Sequence, residues 1–213
     1  MAVFEEALKY FPSISDGITY CPVKGVHYFK ESFSKDAEPS VYPAGLCIMF
    51  SGSKILTMDD ICFKYTGGEY VVCSMTMPLN CEICANKDEP VKGIFIGFTI
   101  NEIRELVEEM GLMDSFQKND LKVVPHPFGP SVMSDSFRSS IIRFLQCLTN
   151  EQDARILGDT LKREVLYRAM TGEQSELLYK IALNSGPLAL VSNIIGIIQN
   201  NYNADDSCTS LHC

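Results

Sequence analysis

The chain has 213 residues, 46% hydrophobic and 21% charged, with a net charge of −9. That is ordinary composition for a soluble globular protein, large enough to fold without staples. DNA binding needs Lys and Arg against phosphates, and an acidic chain without a basic cluster is poorly built for it. No run approaches the roughly 18 apolar residues of a membrane span, so no membrane partner is expected. The opening MAVFEEALKYF carries Glu5 and Glu6 and does not read as a secretory signal. Nine cysteines, an odd count without framework spacing, read as reduced thiols in a cytoplasm.

The front half reads as strands: VHYFKESF (26–33), LCIMF (46–50), KILTM (54–58), ICFKY (61–65), EYVVCSMTM (69–77), LNCEIC (79–84) and GIFIGFT (93–99). Turn signals separate them, among them SGS at 51–53, Asp59-Asp60 and TGG at 66–68. Many short strands with little helix between them predict an antiparallel sandwich or barrel. Alternation in ICFKY puts Ile61, Phe63 and Tyr65 on one face and Lys64 on the other.

From Thr99 the period changes. Thr99-x-x-Glu102 predicts a capping box, followed by Ile103, Leu106, Val107 and Met110 at helical spacing and a stop at Gly111. The Pro-rich PHPFGP (125–130) predicts a domain seam. Beyond it Phe137, Ile141, Phe144, Leu145 and Leu148 make one helical stripe. Ala154, Leu157, Leu161 and Val165 make a second, and Leu177, Leu178 and Ile181 a third. Thr149-x-x-Gln152 and Thr171-x-x-Gln174 are the predicted caps of the last two, and Gly186-Pro187 precedes a closing helix. That helix is apolar over a wide arc, with Leu188, Val191, Ile195, Ile198 and Tyr202 on one face and Leu190, Ile194 and Ile197 beside it. A helix so greasy wants partners on two sides.

Signals for catalysis are thin. His27, His126 and His212 share no metal-binding spacing, and a barrel metalloenzyme wants two or three histidines plus a carboxylate on neighbouring strands. Cys81 and Cys84 have C-x-x-C spacing without a second pair, and are read as two cysteines on one face of a strand. There is no nucleophile elbow, P-loop or dinucleotide fingerprint. The chain is therefore expected to be no enzyme and to need no cofactor or metal. Aromatic side chains on the strands either line an apolar cavity or fill it.

The order of segments in SVYPAGLCIMFSGSKILTMDDICFKYTGGEYVVCSMTMPLNCEI resembles the N-terminal domain of AraC-type transcriptional regulators, at Leu46, Cys47, Gly52, Lys54, Phe63, Tyr65, Gly68, Tyr70 and Pro78. DARILGDTLKREVLYRAMTGEQSELLYKIA is similar to the family's helical segment, including Arg163-Glu164, Leu166-Tyr167-Arg168 and Thr171-Gly172. The resemblance covers roughly residues 16 to 202. It implies an α+β fold, a cupin-like antiparallel β-barrel sensor (1–125) followed by a helical dimerisation subdomain (126–186). VSNIIGIIQNNY resembles the first helix of the family's DNA-binding domain, so 187–213 is expected to hold that partial element and a tail. No complete helix-turn-helix is present, and DNA contact is expected only through a missing C-terminal domain.

The expected role is effector sensing and homodimerisation for a regulator. Phe50, Phe63 and Tyr65 are the candidate lining residues for a small-molecule effector, and the absence of an Arg/Lys cluster on the strands disfavours a multiply charged one. Leu157, Leu161 and Val165 are the dimer candidates, though such a stripe equally serves packing within one subunit. Two alternatives are a small barrel metalloenzyme or metal binder, and a free-standing protein that pairs with intact regulators and silences them.

Overall fold

The computed structural model describes residues 4–112 and 128–183. The predicted closing helix, Gly186-Pro187, His212 and the first three residues of PHPFGP, His126 among them, lie outside the described residues.

Among the described residues ten strands form two antiparallel sheets. In chain order the elements are α1 (Glu5–Leu8), β1 (Gly17–Tyr20), β2 (Val26–Glu31), β3 (Lys35–Tyr42), β4 (Gly45–Ser51), β5 (Ser53–Met58), β6 (Ile61–Thr66), β7 (Glu69–Cys73), β8 (Met77–Cys84) and β9 (Val91–Gly97). They continue as α2 (Ile100–Glu109), β10 (Phe128–Val132), α3 (Asp135–Leu148), α4 (Glu151–Met170) and α5 (Ser175–Leu183). The larger sheet runs β1-β2-β9-β4-β7-β10 and the smaller β3-β8-β5-β6. The fold is α+β and cupin-like, its barrel taking the form of two facing sheets that do not close into one ring.

The larger sheet is covered on both faces, which is why β4 reads as an unbroken apolar run. Leu46, Ile48 and Phe50 point to the helices, whereas Cys47 and Met49 point to the smaller sheet. Two glycines permit this packing. Gly52 turns β4 into β5 at φ 72°, a conformation other residues resist. Gly93 lies flat under Phe29: a Cβ there would sit 2.3 Å from both the Phe29 ring and the Ile48 carbonyl oxygen.

The capping box at α2 is present in both directions: the Thr99 hydroxyl accepts from the Glu102 amide, and the Glu102 carboxylate accepts from the Thr99 amide. The other two predicted caps differ. Asn150 caps α4, its side-chain oxygen accepting from the Gln152 and Asp153 amides. The Thr149 hydroxyl instead donates back to the Gln146 carbonyl, closing α3. Likewise Thr171 closes α4 by donating to the Arg168 carbonyl, and α5 begins only at Ser175. A threonine just past one helix and just before the next can serve either end, and the sequence pattern does not choose.

The helices hold to one another through charge as well as packing. Lys162 of α4, 8% exposed, donates to Glu102 of α2 at 2.8 Å. Arg163 pairs with Glu109 at 2.6 Å. Arg143 of α3 forks onto Glu164 of α4. Strand β10 falls inside the predicted seam and pairs with β7, so the larger sheet takes a strand from beyond residue 125.

Candidate functional site

Between the two sheets, side chains from six strands meet. Period-two alternation sends Phe29 inward from β2, Cys47 and Met49 from β4, Tyr65 from β6, Cys73 from β7, Cys81 from β8 and Phe95 from β9. Lys54 joins them. It shares the face of inward Leu56 on β5, sits in register with Tyr65 and Ile83, and is 8% exposed. Its ammonium lies 3.9 Å from the Phe29 ring centroid. Among the described residues no carboxylate reaches it within 4.0 Å.

The groups around that ammonium are neutral. His27 stacks on Phe95 with centroids 4.9 Å apart, and burial, then the charge of Lys54, pushes its pKa down to about 4. The Cys47 thiol lies 3.3 Å from the Tyr65 hydroxyl, and Tyr42 lies 3.3 Å from the Cys81 sulfur. Burial pushes the Cys47 thiol up despite Lys54, and pushes Cys73, Tyr42 and Tyr65 up as well. Thiols held protonated in this way are inert as nucleophiles and as metal ligands. Cys81 and Cys84 do not share a face, contrary to expectation: a spacing of three residues reverses the side along a strand.

The expected lining trio is split. Tyr65 is fully buried between the sheets, and Phe63 packs edge-on against Phe128 at 5.4 Å on the same side. Phe50 faces away, against Phe4 at 6.0 Å and Phe11 at 6.1 Å in the helix-side core. The continuous run LCIMF hid which face it takes. Lys54, His27 and Phe29 stand in this site without being expected as lining residues, yet KILTM carries a legible sign, a lysine two residues before a leucine.

The dimer stripe is split too. Val165 is fully buried in its own subunit's core, so it offers nothing to a second copy. Leu161 is partly buried against the same core. Leu157 is 48% exposed, beside Ile156 at 72%.

A cavity of about 510 Å³ lies elsewhere, on the helix-covered face of the larger sheet. Its walls are Tyr70 of β7, Val132 at the end of β10, Met133 just after it, Phe137 of α3, and Thr171 and Glu173 of the α4–α5 turn.

The sequence profile of the AraC-type transcriptional regulator N-terminus matches residues 22–177, and the chain belongs to that family. Among solved structures it is similar to ToxT from Vibrio cholerae. One ToxT structure aligns with TM-score 0.46 and 8% identity over 71% of this chain and 57% of that one. An apo ToxT variant gives 0.43 and 8%, covering 70% and 56%. Wild-type ToxT bound to unsaturated fatty acid gives 0.41 and 8%, also covering 70% and 56%. The chain thus spans little more than half the length of these structures. No curated protein matches.

Proposed function

We propose that this chain is the effector-sensing and dimerising part of an AraC-type regulator, and that its effector is a singly charged anion seated between the sheets on Lys54. Family membership supports the regulator role. The observation that carries the sensor role is the buried ammonium of Lys54, which no carboxylate meets among the described residues. Taking an ammonium out of water is expensive, and an aromatic face offsets only part of that cost. An anionic group on the effector supplies the missing partner. Phe29 lies against the ammonium, Phe95 belongs to the same inter-sheet core, and both suit a flat or apolar body.

Dimerisation falls to the exposed part of α4, Ile156 and Leu157 with the edge of Leu161, rather than to Val165. Effector binding changes output where two arrangements of sandwich and helices differ in affinity for it. DNA contact belongs to the family's helix-turn-helix domain, and the regulator works in the cytoplasm. No step here is catalytic.

The test pairs two measurements. Thermal-shift screening with monocarboxylic acids is expected to raise the melting temperature of the wild type and not of Lys54→Met, because only a ligand of the folded form does so. Failure of every acid to do so contradicts the sensor assignment. Sedimentation at tens of micromolar is expected to show a dimer that Leu157→Glu dissociates; a wild-type monomer contradicts the dimer assignment.

A further inference from the structure

Tyr70 and Val71 alternate on β7, so Tyr70 leaves the inter-sheet space and enters the helix-side core. There it packs edge-on against Phe137, centroids 4.8 Å apart, and is fully buried. Its hydroxyl has no hydrogen-bond partner among the described residues. Ser131, opposite Tyr70 on β10, pulls the phenol's pKa down, but the pair falls outside hydrogen-bond geometry. The Ser131 hydroxyl donates instead to Glu173 at 2.8 Å. The unmet hydroxyl sits against Gly172, where an added Cβ would stand 2.9 Å from it. Both residues wall the 510 Å³ cavity, whose size is within the roughly 300–1,000 Å³ of small-molecule pockets.

We propose that this cavity is a second small-molecule site, separate from the one on Lys54, and that it takes an uncharged molecule whose hydrogen-bond acceptor pairs with the Tyr70 hydroxyl. Three features set that chemistry. Burial outweighs the opposing effect of Ser131 and, with the Glu173 carboxylate adding to it, pushes the phenol's pKa up, so it stays protonated and donates. The same carboxylate on the wall repels an anion. Val132, Met133 and Phe137 receive an apolar body.

Position gives the site a consequence. The α4–α5 turn is fastened to β10 by Ser131 on Glu173 and by the Gln174 amide donating to the Pro130 carbonyl at 3.1 Å. An occupant touching Tyr70, Thr171 and Glu173 braces that turn against the sheet. It therefore biases how the helices sit on the sandwich.

The test is methyl NMR on the whole chain, with Met133 reporting the seam cavity and Met49 the inter-sheet space. The probes are primary benzamides and small lactams, each beside its matched carboxylate. At least one amide is expected to shift Met133 saturably, leave Met49 unmoved and outcompete its carboxylate. Tyr70→Phe, which deletes only the unmet hydroxyl, is expected to weaken that amide about tenfold while remaining folded. Gly172→Ala, which crowds the same hydroxyl, is expected to weaken it too, and Lys54→Met to leave it unchanged. Silence of Met133 across the amides, or equal binding to Tyr70→Phe, overturns the proposal and leaves water as the occupant. Because acids on Lys54 report through Met49, either site can fail without the other.

Discussion

Replacing Lys54 by Met separates a functional lysine from a structural one. The side chains are similar in length, so the substitution removes the charge and keeps the filling. The loss is the cation–π contact with Phe29 at 3.9 Å, worth about 0.5–2 kcal/mol. The gain is relief from holding an ammonium in a position 8% exposed without a carboxylate, a penalty of several kcal/mol per buried ion by order of magnitude. The second effect wins, and Lys54→Met is expected to stabilise the ligand-free chain by about 1–3 kcal/mol. For a chain of this size that is a rise of roughly 2–12 °C in melting temperature. Urea unfolding and calorimetry without ligand measure it directly. Lys54→Ala serves as the cavity control and is expected to fall below the methionine variant. A Lys54→Met protein less stable than wild type by more than about 1 kcal/mol refutes the reasoning, since the ammonium then contributes more to packing than burial costs it.

Three further outcomes follow from the geometry. Gly158 on the inner face of α4 would place a Cβ 2.3 Å from Val23 Cγ2; helix propensity favours Gly158→Ala by about 1 kcal/mol, but overpacking a stiff buried valine costs about 1–3, so denaturant titration is expected to show net loss. Glu102→Gln leaves Lys162 buried opposite a neutral group and is expected to cost about 1–2 kcal/mol, discounted because Glu102 is partly exposed. Burial raises the Glu102 pKa, but hydrogen bonds from Lys162 and Thr99 hold it below its ordinary 4.5; its stabilisation is present above that value and lost as pH falls through the lowered one, so the variant's acid limb is expected to be flatter. His27 resists protonation until about pH 4 against an ordinary 6.5, so its contribution to stability falls as pH drops through that window. An anion placed on Lys54 is expected to raise the His27 value, which imidazole proton NMR reads, and an unchanged titration on acid binding would place the acid elsewhere.

How much of this was legible in the residues differs by element. Strands with clear alternation, such as ICFKY, gave both existence and face. Lone polar strands did not: β3, KDAEPSVY, is mostly exposed and carries Pro39, which suits an edge. FGPSV reads as loop because of its glycine and proline, yet it pairs with β7 at an edge of the larger sheet. The buried face of α4 has the helical period of the predicted stripe but is rotated from it. Gly158 and Lys162 face inward, where sequence patterning expects neither, because Gly158 makes room for Val23 and Lys162 is paired with Glu102. Side-chain identity shows which residues are apolar; which of two covered faces they take is set by the neighbouring sheet and helices.

The most direct measurement is a crystal structure with a halogen-substituted form of whichever monocarboxylic acid raises the melting temperature most. Its halogen marks the body by anomalous scattering and its carboxylate marks the anchor. We expect the carboxylate within hydrogen-bond distance of Lys54 Nζ, with the ring or chain between Phe29 and Phe95. A carboxylate bound anywhere else, with Lys54 still lying on Phe29 alone, contradicts the account.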